Sequence, residues 1–145
     1  MDSQTPTHGP SYAYASPHWP ECYDLWIDHL FGNHKDTPIF TAAALPLLPP
    51  PPSPLTILDI GTGTGRVVKA LVSSLPSDDR TRNPRLNITA IDNSPAMLAR
   101  AARTFNRTFQ DLGKLPSSWT VHWRCVAAAD LLTALPALDG QIDLA

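Results

Sequence analysis

Leu55-Thr56-Ile57-Leu58-Asp59-Ile60-Gly61-Thr62-Gly63-Thr64-Gly65-Arg66-Val67-Val68-Lys69-Ala70-Leu71 decides how the rest of the chain is read. Leu55 to Ile60 is a short apolar run with β-branched residues, preceded by prolines, and predicts a buried strand. Gly61 to Gly65 form a tight glycine turn. From Arg66 the apolar residues change to helical spacing (Val67, Val68, Leu71, Val72, Leu75), and Pro76 closes the run. Strand, glycine turn and helix together open a βαβ unit, in which a small ligand can approach the backbone.

Downstream, Pro76 to Asn87 is rich in breakers and predicts an exposed loop. Ile88 to Asp92 reads as a second buried strand. Ser94-Pro95 is a strong helix start, with an N-cap and a proline at the first position. Leu98, Ala101, Ala102, Phe105, Phe109 and Leu112 form the buried face of that helix, and Gly113 suits its end. Arg100, Arg103 and Arg107 read as a solvated face. Trp119 to Cys125 alternates with period two, as in a strand with one wet face near a sheet edge. Ala127 to Asp130 is turn material, Leu131 to Leu138 is apolar but broken by Pro136, and Gln141 to Ala145 begins a further strand. Strands alternating with helices predict an α/β fold with a mostly parallel sheet.

Upstream, residues 1–18 mix small, polar and proline residues without a period and predict a disordered tail. Residues 19–54 read as N-terminal helices and a Pro-rich spacer. Tyr23, Trp26, Ile27 and Leu30 fall on one apolar helical face, expected to pack on the core, with a lid over a ligand as the other reading. Gly32 suits that helix's end. Thr37-Pro38 opens a second short helix over Ile39 to Leu45, and Pro49 to Pro54 is stiff and extended. Of the 16 prolines, 11 fall in the first 54 residues. Residues 55–145 form the ligand-binding domain.

The chain has 145 residues, with 11 Lys plus Arg against 13 Asp plus Glu and a formal net charge of -2. That balance gives no electrostatic reason to expect nucleic acid or an anionic membrane as partner. No apolar run reaches the ~20 residues of a membrane helix. Cys22 and Cys125 lie far apart, so neither a zinc site nor a disulfide framework is expected; both read as small buried residues in a reducing compartment. A soluble, cytoplasmic protein is the expectation. His29 and His34 read as solvated, and no catalytic histidine is indicated.

Two ligand classes use such a turn. A dinucleotide calls for Gly-x-Gly-x-x-Gly, but here the third glycine, Gly65, arrives one residue early and Arg66 takes its place. Asp59 stands at the mouth of the turn, where a carboxylate disfavours a pyrophosphate and favours a cation. A nicotinamide-dependent oxidoreductase is therefore disfavoured.

Leu58 to Gly65 resembles the first motif of the class I S-adenosylmethionine-dependent methyltransferases. Ile88-Thr-Ala-Ile-Asp-Asn-Ser-Pro-Ala-Met-Leu98 resembles the family's second motif, Ala129-Asp130-Leu131 occupies the place of the third, and Gln141 to Ala145 resembles the start of the fourth. The resemblance implies a three-layer Rossmann-like fold, S-adenosylmethionine as cofactor and a small-molecule methyl acceptor. It implies that Gly61 and Gly63, with Thr62 and Gly65 in the same turn, bring backbone against the methionine part. Asp59 would hold the amino group and Asp92 the ribose hydroxyls. Asn93 and Met97 would flank the adenosine, and Asp130 with the Leu131 backbone would reach the adenine edge. The plain readings are a helix cap for Asp59, strand-end turn residues for Asp92 and Asp130, and helix core for Met97.

Asp59 and Asp92 stand further apart than the ~20 residues expected between such acids, and the Pro76 to Asn87 loop is read as an insertion that supplies the excess. The chain stops within the fourth motif. The expectation is a chain truncated after the start of the fourth strand, holding most of the cofactor site and little of the acceptor site, and inactive by itself. The competing expectation is a non-catalytic binding or interaction module whose sheet is completed by a partner chain.

Overall fold

The computed structural model describes residues 16–31, 36–48, 53–75, 85–110, 115–138 and 140–145. The expectations for residues 1–15, the middle of the Pro-rich run, the loop over 76–84, His34, Leu112 and the stops at Gly32 and Gly113 lie outside the described residues. Among the described residues, two N-terminal helices, α1 (Trp19–Phe31) and α2 (Asp36–Ala44), precede the sheet, and a 3-10 turn, Leu45–Leu47, extends α2. The sheet region follows as β1 (Leu55–Ile60), α3 (Arg66–Ser74), β2 (Leu86–Asp92), α4 (Pro95–Phe105) and β3 (Trp119–Cys125). A single π turn, Asn106–Gln110, continues α4. After β3 come a 3-10 turn, Ala128–Asp130, a short α5 (Leu131–Ala134) and a second 3-10 turn, Pro136–Leu138.

The fold is α/β, with a parallel sheet in the order β1-β2-β3. It is compatible with a Rossmann-like arrangement. Leu55 pairs with Leu86 and Ile60 with Ile91; Leu86 in turn pairs with Trp119 and Asp92 with Cys125. The last residues cross to the opposite edge of β1, where Ile57 and Leu144 form an isolated parallel bridge. Leu58 N–H donates to Leu144 O at 2.9 Å and Asp143 N–H to Thr56 O at 2.9 Å. The Asp143 carboxylate also accepts from Thr56 N–H at 2.7 Å. Chain order therefore reverses beside β1. In open parallel sheets, ligands bind beyond the carboxyl ends of the strands at such a reversal.

The core lies between one face of the sheet and helices α3 and α4. Ile57, Ile88 and Ala90 meet Val68, Leu71 and Phe105 there, all buried. Val68, Leu71 and Val72 are the inward stripe of α3, and Leu98, Ala101 and Phe105 that of α4. Phe105 packs edge-on against Trp123 with ring centroids 5.8 Å apart. Parallel pairing on both sides explains why β2 reads as a nearly continuous apolar run.

Ser94 caps α4 as its sequence predicts. It is in an extended conformation, its hydroxyl accepts from Met97 N–H at 3.4 Å, and Pro95 stands in the first turn. Ser94→Ala is expected to cost about 1 kcal/mol, read as a lower denaturation midpoint with an unchanged slope.

Four expectations are corrected. β2 begins at Leu86, two residues inside the presumed loop, because Leu86 pairs with Leu55 and Trp119. α2 begins at Asp36, so Thr37 lies within the helix and not at its cap. Cys22 and Cys125 are both exposed, not buried. The apolar face of α1 is only partly covered: Tyr23 and Ile27 are half-buried, while Trp26 and Leu30 face outward. Among the described residues no helix is long and apolar enough to cross a membrane.

Candidate functional site at the glycine turn

The turn between β1 and α3 needs glycine at three places, each in the left-handed region: Gly61 at φ 74°, Gly63 at 55° and Gly65 at 76°. The surroundings of the three differ. A Cβ on Gly61 would meet nothing within 4 Å, so this stretch of backbone is open to a ligand. A Cβ on Gly63 would lie 4.0 Å from the Tyr23 ring of α1. A Cβ on Gly65 would come within 3.1 Å of both Ala101 Cβ and the Trp123 ring. Gly65 therefore lets the turn dock on α4 and β3, whereas Gly61 leaves room above it.

The carboxyl end of β2 holds the turn. Gly61 and Thr62 N–H both donate to Ile91 O at 2.9 Å. Asp92 Oδ2 accepts from Gly63 N–H at 2.9 Å, and its Oδ1 accepts from Ser94 N–H at 2.8 Å. Asp92 thus joins the turn to the start of α4 through two charge-assisted bonds, and each carboxylate oxygen keeps a second lone pair.

Asp59 ends up in a different position. Its Oδ2 is buried without a hydrogen-bond partner, and so is the neighbouring Thr62 hydroxyl oxygen. Burial pushes the Asp59 carboxyl above its ordinary range; the Thr62 hydroxyl works the other way, and the charge of Asp92 adds to the rise. Register explains the proximity of the two acids. Asp59 pairs with Ala90 and Asp92 lies two residues further along, so both carboxylates project from the same face of the sheet at its carboxyl end.

Of the residues expected at a ligand site, Asp59, Gly61, Thr62, Gly63 and Asp92 meet around this one turn. Gly65 serves the packing beneath it. Asn93 is exposed next to Asp92, and its carbonyl lies 3.8 Å from the Cys125 thiol. Met97 is 2 % exposed and sits in the interior. Asp130 is exposed and Leu131 half-buried on the segment that leaves β3. That segment is tied to the site through Val126 N–H, which donates to Asp92 O at 3.1 Å. Among the described residues, no hydrogen bond joins Asp130 to the turn.

Sequence reading missed how α1 attaches. Asp24 accepts from the Thr64 hydroxyl at 2.5 Å and from Arg100 Nε at 2.7 Å. Asp28, one helical turn on, pairs with Arg66 at 3.5 Å. The acidic side of α1 therefore anchors it at the glycine turn, beside Tyr23 at one edge of the apolar stripe. Arg100 is corrected from a solvated residue to the partner of Asp24. The available signal was the i, i+4 pair of acids on α1 set against arginines at the start of α3 and on α4.

No family model matches the chain, and no curated protein matches it.

Proposed function

We propose that the chain binds S-adenosylmethionine at the glycine turn and serves as the donor-binding part of a methyltransferase acting on a small-molecule acceptor. The observation that carries this reading is Asp59. A buried carboxylate oxygen without a partner, beside open backbone at Gly61, calls for a cationic donor and repels a pyrophosphate. The ammonium of the methionine part answers that need. Each Asp92 oxygen keeps a second lone pair after its bond to Gly63 or Ser94 N–H, suited to a vicinal diol. The site residues therefore fit the cofactor in charge and in access.

When bound, the cofactor supplies a methyl group already activated on a sulfonium. The chain's own contribution is alignment, through the fixed turn and the two acids, and exclusion of water by α1 on one side. No residue is proposed as a base.

The reading is tested by calorimetric titration of the full chain with S-adenosylmethionine, S-adenosylhomocysteine and NAD. Binding of the first two alone is expected; binding of NAD alone would replace the proposal with a dinucleotide site. Asp59→Asn sharpens the test. Its affinity for S-adenosylhomocysteine should fall roughly tenfold or more, since a charged hydrogen bond is lost.

The same substitution should stabilise the free protein at neutral pH. The folded-state pKa of Asp59 is raised above its ordinary value of 3.8. Its contribution to stability is therefore complete below 3.8 and is lost as pH rises through the raised value. The asparagine variant lacks that loss, so melting curves of the two proteins should separate above that window and converge below it. A helix-capping Asp59 predicts the reverse, with the variant less stable at neutral pH.

A further inference from the structure

A second site lies away from the glycine turn, where α2 faces the outer side of α3. Arg66, Lys69, Ala70, Ser73 and Ser74 follow the helical repeat along one face of α3. Opposite them, Thr37, Thr41 and Leu45 do the same along α2 and its extension. Small residues on both stripes leave an open cavity of about 700 Å³ between them, reached also by Thr108 of the π turn. That volume is within the range of small-molecule sites, ~300–1,000 Å³.

The charge there is unbalanced. Arg66 and Lys69 line the cavity, while Arg100, Asp24 and Asp28 act on Lys69 from outside that lining. Arg100 takes Asp24 at 2.7 Å and Arg66 takes Asp28 at 3.5 Å. Among the described residues no carboxylate lies within ion-pairing distance of Lys69. Its ammonium is half-buried, and burial lowers its pKa; Asp24 acts against that shift, Arg100 and Arg66 with it, and Asp28 against it. A partly desolvated cation at the wall of a cavity is a binding group for an anion.

The hydroxyls refine the ligand class. Thr41 donates its proton to Thr37 O, Ser74 to Ala70 O and Thr108 to Thr104 O, each at 2.8 Å. The protons are committed within the helices, so these oxygens offer only lone pairs to a ligand. At these three oxygens a bare oxyanion would find its own lone pairs facing theirs, with Thr37 and Ser73 as the remaining hydroxyls of the lining. A ligand bearing one anionic group and several hydroxyls would satisfy both Lys69 and these oxygens. We propose that the α2–α3 cavity binds a hydroxylated small anion, a sugar phosphate or sugar acid, with Lys69 as its charge partner. The proposal stands independently of the reading of the glycine turn.

The test is calorimetric titration of the full chain with glucose 6-phosphate, gluconate, inorganic phosphate and glucose. Glucose 6-phosphate, gluconate or both should bind roughly tenfold or more tightly than inorganic phosphate and glucose. Lys69→Met should weaken that binding roughly tenfold or more, and Lys69→Arg should retain most of it. Ala70→Leu, which fills the cavity and keeps the charge, should also abolish binding, and it decides the matter if Lys69→Met does not fold. Binding of none of the four probes overturns the proposal. So does glucose or inorganic phosphate binding as tightly as the hydroxylated anions, or affinity unchanged in Lys69→Met or, should that variant not fold, in Ala70→Leu.

Discussion

Replacing Gly65 by alanine is expected to cost roughly 3 kcal/mol, a large part of a single domain's stability. Two terms contribute. Gly65 sits at φ 76°, ψ 25°, where an L side chain costs about 1–2 kcal/mol. The added Cβ would then press to 3.1 Å on both Ala101 Cβ and the Trp123 ring. Neither neighbour yields easily. Ala101 belongs to the buried stripe of α4, and Trp123 is held by Phe105. Overpacking of this kind costs about 1–3 kcal/mol. Gly61→Ala separates the terms, because Gly61 has a similar φ of 74° and open space around it. It should cost only the backbone term, about 1–2 kcal/mol. Equal denaturation midpoints for the two variants would show that crowding at Gly65 contributes nothing.

Asp92→Ala is expected to lower stability by about 2–3 kcal/mol and to abolish the proposed S-adenosylmethionine binding. Its carboxylate accepts from Gly63 and Ser94 N–H, and each charged bond is worth about 1.5–3 kcal/mol. The sum is reduced because the site is only partly buried and because removal of Asp92 relieves its repulsion of Asp59. That second effect can be read by itself. Without Asp92 the Asp59 carboxyl should ionise at lower pH, since the neighbouring charge is one cause of its rise. The pH window over which Asp59 destabilises the protein should then move toward acid, a shift that carbon-detected NMR titration of the carboxyl would follow. An unchanged titration would place the two acids out of electrostatic contact.

The features legible in the sequence are those fixed by short-range chemistry. Leu55 to Ile60 is a strand, Gly61 to Gly65 a turn with positive φ, and Ser94-Pro95 a helix start, because each is decided by residues next to one another. The alternation through Trp119 to Cys125 marks a strand for the same reason. The features that escaped depend on partners distant in the chain. Leu86 and Asn87 read as loop because Asn87 is polar; the pairing of Leu86 with Leu55 and Trp119 draws them into β2. The apolar stripe on α1 reads as a core face, yet the bonds from Asp24 to Thr64 and Arg100 turn the acidic side inward. Periodicity states that a face exists, but not what covers it. The acids of the candidate site were visible as residue types. That Asp59 Oδ2 is buried without a partner while each Asp92 oxygen has one is a property of the assembled turn alone.

Three successive N–H groups of that turn, from Gly61, Thr62 and Gly63, terminate on the last two residues of β2. The loop is thus ordered by strand pairing before any ligand arrives. Its loss of conformational freedom falls on folding, and association there would carry little additional entropy penalty. Selectivity at such a site resides in fixed charges and in the open space over one glycine. A rigid cradle of this kind rewards ligands that match it without adjustment, and it gives a mismatched one no means of being accommodated.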